Sequence, residues 1–199
     1  MTRGIGLVCA AALAAATLTA GSAQAQFFDM RDIMGGPNFA NGGYSGYSGG
    51  PGPVPRSTVM LQTNYSPGTI LINTGERRLY LVLPNGQALR YGIGVGRDGF
   101  RWTGTHRITA KKEWPSWTPP REMLRRRPDL PHHMAGGIEN PLGARAMYLC
   151  STLYRIHGSN EPETIGQAVS SGCFRMTNED VTDLYNRVSV GTPVVVLNN

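Results

Sequence analysis

Histidine, cysteine and acidic residues are scarce in this sequence. Its 199 residues hold four histidines, three cysteines, and 13 Asp plus Glu against 19 Lys plus Arg. Two of the histidines, His132 and His133, are adjacent and bring no further ligands with them, which makes a poor metal site. No metal and no cofactor is expected. The formal net charge is +6, and the basic residues cluster in "REMLRRRPDL" and are otherwise scattered. That pattern suits a solvated face or attraction to an anionic polymer. A nucleic-acid partner is not expected, because no binding motif accompanies the charge. Long apolar runs are missing too, except at the N-terminus, so stable membrane insertion of the mature chain is not expected.

The N-terminal run has the form of a secretory signal. Arg3 is followed by apolar residues from Ile5 to about Leu18, then by Ala23-Gln24-Ala25, an A-x-A cleavage site. Residues 1–25 are therefore expected to be removed on export, with the periplasm or cell envelope as destination. Residues 26–58 are dense in Gly, Pro, Ser, Asn and Tyr and have almost no aliphatic periodicity. Such a stretch cannot offset its chain entropy by burial and is expected to be a flexible tether. Residues 59–199 are long enough for one domain with a core of its own.

Within that domain the pattern predicts a mainly β fold with short helices. Strands are expected at Thr69–Asn73, Arg78–Leu83 and Gln87–Val95, with Asn85-Gly86 as a hairpin turn. "GTHRITAKKEW", "RAMYLC", "TLYRIHG" and "TPVVVL" also read as strands. Residues 114–144 carry many prolines and form a long excursion, with a short helix over Arg121–Arg127. One clear amphipathic helix follows Cys173: Val181, Leu184, Tyr185 and Val188 share a face, Thr177 is its N-cap, and Asp180 is a capping-box-like partner.

The chemistry concentrates in "YRIHGSNEPETIGQAVSSGCFRM". A cysteine is a nucleophile only as thiolate and needs a base or a positive neighbour. His157 ends a predicted strand, and Cys173 follows a loop that can fold back toward it. Gly172 permits close backbone approach, and backbone N–H groups near it can face an oxyanion. Arg175 suits a substrate carboxylate. Taken alone, a histidine and a cysteine are more often a core histidine and a buried thiol.

The surrounding residues narrow this. His157-Gly158, then Ser171-Gly172-Cys173-Phe174-Arg175, resembles the signature of the L,D-transpeptidases, the YkuD-type catalytic domain. "GVGRDGFRWTGTHRI", "NPLGARAMYL" and "MTNEDVTDLYNRVSVGTPVVV" look like other parts of that family's core, so the resemblance covers about Thr69 to Leu197. It implies a β-sandwich or barrel-like catalytic domain. It implies Cys173 as nucleophile and His157 as its base, held by the Gly158 carbonyl. Ser171, Gly172 and Cys173 would form the oxyanion loop. Arg175 would position substrate, and Tyr154 and His133 are further candidates for substrate contact. The implied substrate is a peptidoglycan tetrapeptide stem. It would be passed through a Cys173 thioester to an amine of another stem, of an envelope protein or of a D-amino acid. Carbapenems would acylate the thiol. Two residues depart from the family pattern: Ser171 stands where histidine is common, and Phe174 where a smaller aliphatic residue is.

Competing readings remain at this stage. Papain-like and NlpC/P60-like enzymes place cysteine before histidine, the reverse of this order. Sortases use a wider His–Cys spacing. A Cys150–Cys173 disulfide would leave a non-catalytic wall-binding module. Trp102, Trp114 and Trp117 suit either a peptide-facing wall or the core.

Overall fold

The computed structural model describes residues 53–150 and 152–198. The expected signal peptide, and all but the last residues of the expected tether, lie outside them. Eleven strands are described: β1 (Ser57–Met60), β2 (Ile70–Asn73), β3 (Arg78–Val82), β4 (Gln87–Gly92), β5 (Val95–Gly96), β6 (Gly104–Glu113), β7 (Arg145–Leu149), β8 (Arg155–His157), β9 (Ala168–Ser170), β10 (Phe174–Arg175) and β11 (Pro193–Leu197). Nine form one mixed sheet in the order β1-β4-β3-β2-β11-β6-β7-β8-β10, and β5 pairs with β9 in a second, two-stranded sheet. The mainly β expectation holds.

The last strand sits near the middle of the large sheet. β11 runs parallel to β2 and antiparallel to β6, with Val194 opposite both Ile70 and His106. Its Pro-Val-Val-Val-Leu run is β-branched and apolar, as a strand flanked on both sides requires. The core gathers Ile70, Leu79, Ile108, Met147, Ile156 and Val194 from strands across this sheet, each at most 1% exposed.

The helix after the cysteine, α2 (Asn178–Arg187), closes that core. Thr177 caps it, its Oγ accepting from the Asp180 N–H at 3.1 Å. Val181 and Leu184 are fully buried, worth about 1.5–3 kcal/mol each by transfer. At the far end Lys111 Nζ donates to the Tyr185 and Val188 carbonyls at 2.6 Å each, a cation where the helix dipole is negative. Arg56, just before β1, reaches Asp180 and Asp183 at 3.3 Å each.

One local outcome differs from the sequence pattern. The strand expected over Gln87–Val95 breaks after Gly92, because Gly94 exchanges two backbone hydrogen bonds with Arg175, each 2.9 Å long. The chain is thereby drawn out of the large sheet, and β5 pairs beside the cysteine loop. The excursion over 114–144 is structured, as expected. Its short helix α1 (Arg121–Arg126) and a small core of Trp117, Leu130 and Leu142 give it a packed centre. Trp117 and Met134 exchange backbone bonds of 2.8 Å across it.

Candidate active site

His157 and Cys173 are brought together by one feature, the parallel pairing of β8 with β10. Ile156 lies opposite Phe174 and His157 opposite Arg175. Ile156 and Phe174 point into the core, at 0% and 1% exposure. Strand alternation then puts Arg155 and His157 on the other face. Arg175 shares that face, and Cys173, one residue before Phe174, is placed next to Arg155. The second contact of the chain with Gly94 holds this arrangement from the opposite side.

His157 is 4% exposed and its Nδ1 lies 2.6 Å from the Gly158 carbonyl oxygen. A carbonyl only accepts, so Nδ1 carries the proton and Nε2 is the basic nitrogen. Burial, then the Arg175 and Arg155 guanidiniums, holds the imidazole down to about 3, against the opposing pull of the Gly158 bond. The ring is therefore neutral near pH 7. Gly158 has no room for a side chain, because a Cβ there would meet Asn178 Oδ1. That oxygen accepts from the Ala144 N–H at 2.7 Å and so ties the first residue of α2 to the entry of β7.

Cys173 is half-buried and its thiol is free. Burial pushes the thiol up, while Arg155, its main-chain hydrogen bond and Arg175 pull it back. The sulfur lies 3.8 Å from the Leu153 carbonyl, a long contact at most. Cys150 is also free, and its sulfur accepts from the Arg107 N–H at 3.4 Å. The disulfide alternative is thus corrected: each sulfur has its own separate neighbours, and no bond joins them.

The loop before Cys173 is fixed by many local contacts. Ser170 Oγ donates to the Cys173 carbonyl at 2.6 Å and accepts from the Gly172 N–H at 3.2 Å. Gly172 has φ +108°, and a Cβ there would run into the Tyr154 ring. The Gly172 carbonyl accepts from Trp102 Nε1 at 2.8 Å. Trp102 in turn stacks on Tyr154, centroids 4.7 Å apart at 14°. Ser171 Oγ is buried and has no hydrogen-bond partner among the described residues.

The remaining sequence candidates fall in different places. Arg175, expected to hold a substrate carboxylate, is 1% exposed and faces Glu161 at 3.7 Å. The carboxylate beside it belongs to the protein. Burial pushes Glu161 up to about 7, against the pull of Arg175. Tyr154 lies at the loop as a buttress. His133 is exposed on the excursion, its Nδ1 3.2 Å from Thr118 Oγ1. Sequence reasoning passed over Ser170, Glu161, Asn178 and Arg155. Only Arg155 carried a signal, two residues before the histidine on the same strand face. Among the described residues no group of His, Cys, Asp or Glu could hold a metal, and no helix is long and apolar enough to cross a membrane.

Comparison with known proteins shows the family and the fold. The family model of the L,D-transpeptidase catalytic domain matches residues 67–196. The chain is 37% identical over 137 residues to the probable L,D-transpeptidase ErfK/SrfK of Escherichia coli, covering 64% of this chain and 43% of that protein. It is 37% identical over 151 residues to the probable L,D-transpeptidase YbiS of Escherichia coli, covering 71% and 47%. The chain thus spans under half the length of these two relatives. The solved catalytic domain of the E. faecium L,D-transpeptidase superposes with a TM-score of 0.52 at 20% identity, covering 68% of this chain and all of that one. At that identity it shows a shared fold.

Proposed function

This chain belongs to the L,D-transpeptidase catalytic-domain family, and from that premise we propose that it is a peptidoglycan L,D-transpeptidase with Cys173 as nucleophile and His157 as base. The observation that carries the reading is the β8–β10 register, which sets a neutral, carbonyl-anchored imidazole and a free thiol on one face of adjacent strands.

His157 Nε2 takes the thiol proton. The sulfur attacks the carbonyl that joins diaminopimelate to the terminal D-Ala of a tetrapeptide stem. The C–N bond breaks, the amine of D-Ala leaves with the proton held by His157, and a thioester remains. An acceptor amine attacks the thioester, gives a proton to His157 and restores the thiol as the new amide forms. The acceptor is a second stem, an envelope protein or a D-amino acid; water would give hydrolysis. In the transition state the carbonyl oxygen becomes an oxyanion. The Gly172 N–H is already donated to Ser170 Oγ, so the Cys173 N–H is the donor we assign, at about 3 kcal/mol by analogy with known oxyanion donors. The buried, unpartnered Ser171 Oγ lies on the same loop and is a second donor. Arg175 keeps His157 and the loop in register rather than touching substrate. An anionic wall polymer suits the net charge, +6 for the whole sequence and about +5 without Arg3 of the signal peptide. Export to the envelope and acylation by carbapenems belong to the same reading.

Purified wild type and Cys173→Ala would be incubated with a diaminopimelate tetrapeptide muropeptide while intact-protein and product masses are followed. An acyl adduct with loss of D-Ala, absent in the variant, is expected. Neither adduct nor product from a protein whose thiol titrates as free would refute the reading.

A further inference from the structure

Among the described residues, Arg155 is the cation of this site that has no carboxylate partner. Arg175 has Glu161 at 3.7 Å, and Arg145 has Glu113 at 3.3 Å. Arg155 is half-buried, its guanidinium carbon 5.4 Å from the Tyr148 ring centroid. Its Nε is buried and donates to no described residue, and no described carboxylate pairs with it. A half-buried guanidinium whose Nε lacks a partner and which has no carboxylate beside it among the described residues is free to take an anion that a ligand brings.

The position of that anion follows from the strands. The parallel register sets Arg155 beside Cys173, and strand alternation sets it on the face of His157. The same register sets its backbone beside Cys173, and its charge acts on both Cys173 and His157. A substrate carboxylate near the sulfur therefore falls within its reach. In the donor assigned above, the leaving amino acid carries such a group. Its carboxylate is attached to the α-carbon next to the scissile nitrogen. A planar guanidinium beside an aromatic ring is well suited to a carboxylate.

We propose that Arg155 is a specificity-determining residue that takes the terminal carboxylate of the leaving D-amino acid. The inference rests on the transpeptidase reading. It assigns to Arg155 the role that sequence reasoning gave to Arg175, whose side chain is buried against Glu161. It also makes the enzyme selective for donors with a free C-terminus, since an amide-capped stem offers no anion to this cation.

The test is a ratio measured within one protein, which cancels any loss of folded enzyme. Acylation kcat/KM is measured for a tetrapeptide donor ending in D-Ala and for the same donor ending in D-Ala carboxamide. Wild type, Arg155→Gln and Arg155→Lys are compared. Wild type is expected to favour the acid by roughly 10- to 100-fold, the range of a charge-assisted hydrogen bond. In Arg155→Gln the ratio should fall towards one, and Arg155→Lys should keep part of it. If Arg155 serves only to hold the thiolate, both donors slow by the same factor and the ratio stays at its wild-type value, which overturns the proposal. A wild type that does not discriminate also overturns it. A wild type with a free thiol that acylates with neither donor defeats the transpeptidase reading itself, and the inference falls with it.

Discussion

Replacing Glu161 by Gln should create a pH dependence of stability that the wild type hides. His157 is held down to about 3 from an ordinary 6.5, so between those values the unfolded chain binds a proton that the folded chain does not. Stability from this group is present above the unfolded value and is lost as pH falls below about 6.5. Glu161 is pushed up to about 7 from an ordinary 4.5, so between those values the folded chain binds a proton that the unfolded chain does not. Its contribution has the opposite sign: it is present at low pH and lost as pH rises toward 7. From pH 4.5 to 6.5 the two slopes cancel. Gln cannot titrate, so Glu161→Gln should lose stability on acidification through that window, by up to about 1.4 kcal/mol per pH unit and roughly 2 kcal/mol in all. Urea unfolding of both proteins across the window, read as their difference, removes the contribution of every other carboxylate. Equal pH slopes in the two proteins would refute the reasoning. Retention of the new slope in a Glu161→Gln, His157→Gln double variant would show that the histidine is not its source.

Three further outcomes follow from the loop and the helix. Gly172→Ala forces a side chain onto φ +108° and into the Tyr154 ring; a thermal melt should show a loss of about 1–3 kcal/mol, and acylation should slow in the protein that remains folded. Trp102→Phe keeps a ring against Tyr154 but removes the bond to the Gly172 carbonyl; urea titration should show about 0.5–1.5 kcal/mol lost, and an unchanged stability would mean that the bond does not hold the loop. Thr177→Ala removes the acceptor for the Asp180 N–H; a loss of about 1 kcal/mol is expected, with Thr177→Ser close to wild type.

Much of the local structure was legible because it depends on neighbours in sequence. Thr177 caps α2 because its hydroxyl needs only the N–H three residues on. The Asn85-Gly86 turn adopts φ 62° and 68°, as a two-residue hairpin loop demands. Alternation in β3 buried Leu79 and Leu81. Where the pattern failed, a distant partner had intervened. Gln87–Val95 reads as one strand, and only the approach of Arg175 to Gly94 divides it.

The sequence by itself determined the mainly β class and the helix behind the cysteine, for which local periodicity and turn chemistry are enough. Its resemblance to the L,D-transpeptidases, and not spacing alone, singled out His157 and Cys173. The tertiary structure alone decided which groups surround them. Parallel pairing of β8 with β10, which sets Arg155 beside Cys173, the burial of Arg175 against Glu161 and the bond from Trp102 to Gly172 all require segments apart in the chain to meet. No local propensity encodes such a meeting. It is fixed by the shared core of Ile156 and Phe174, whose burial turns the charged residues of both strands onto the opposite face.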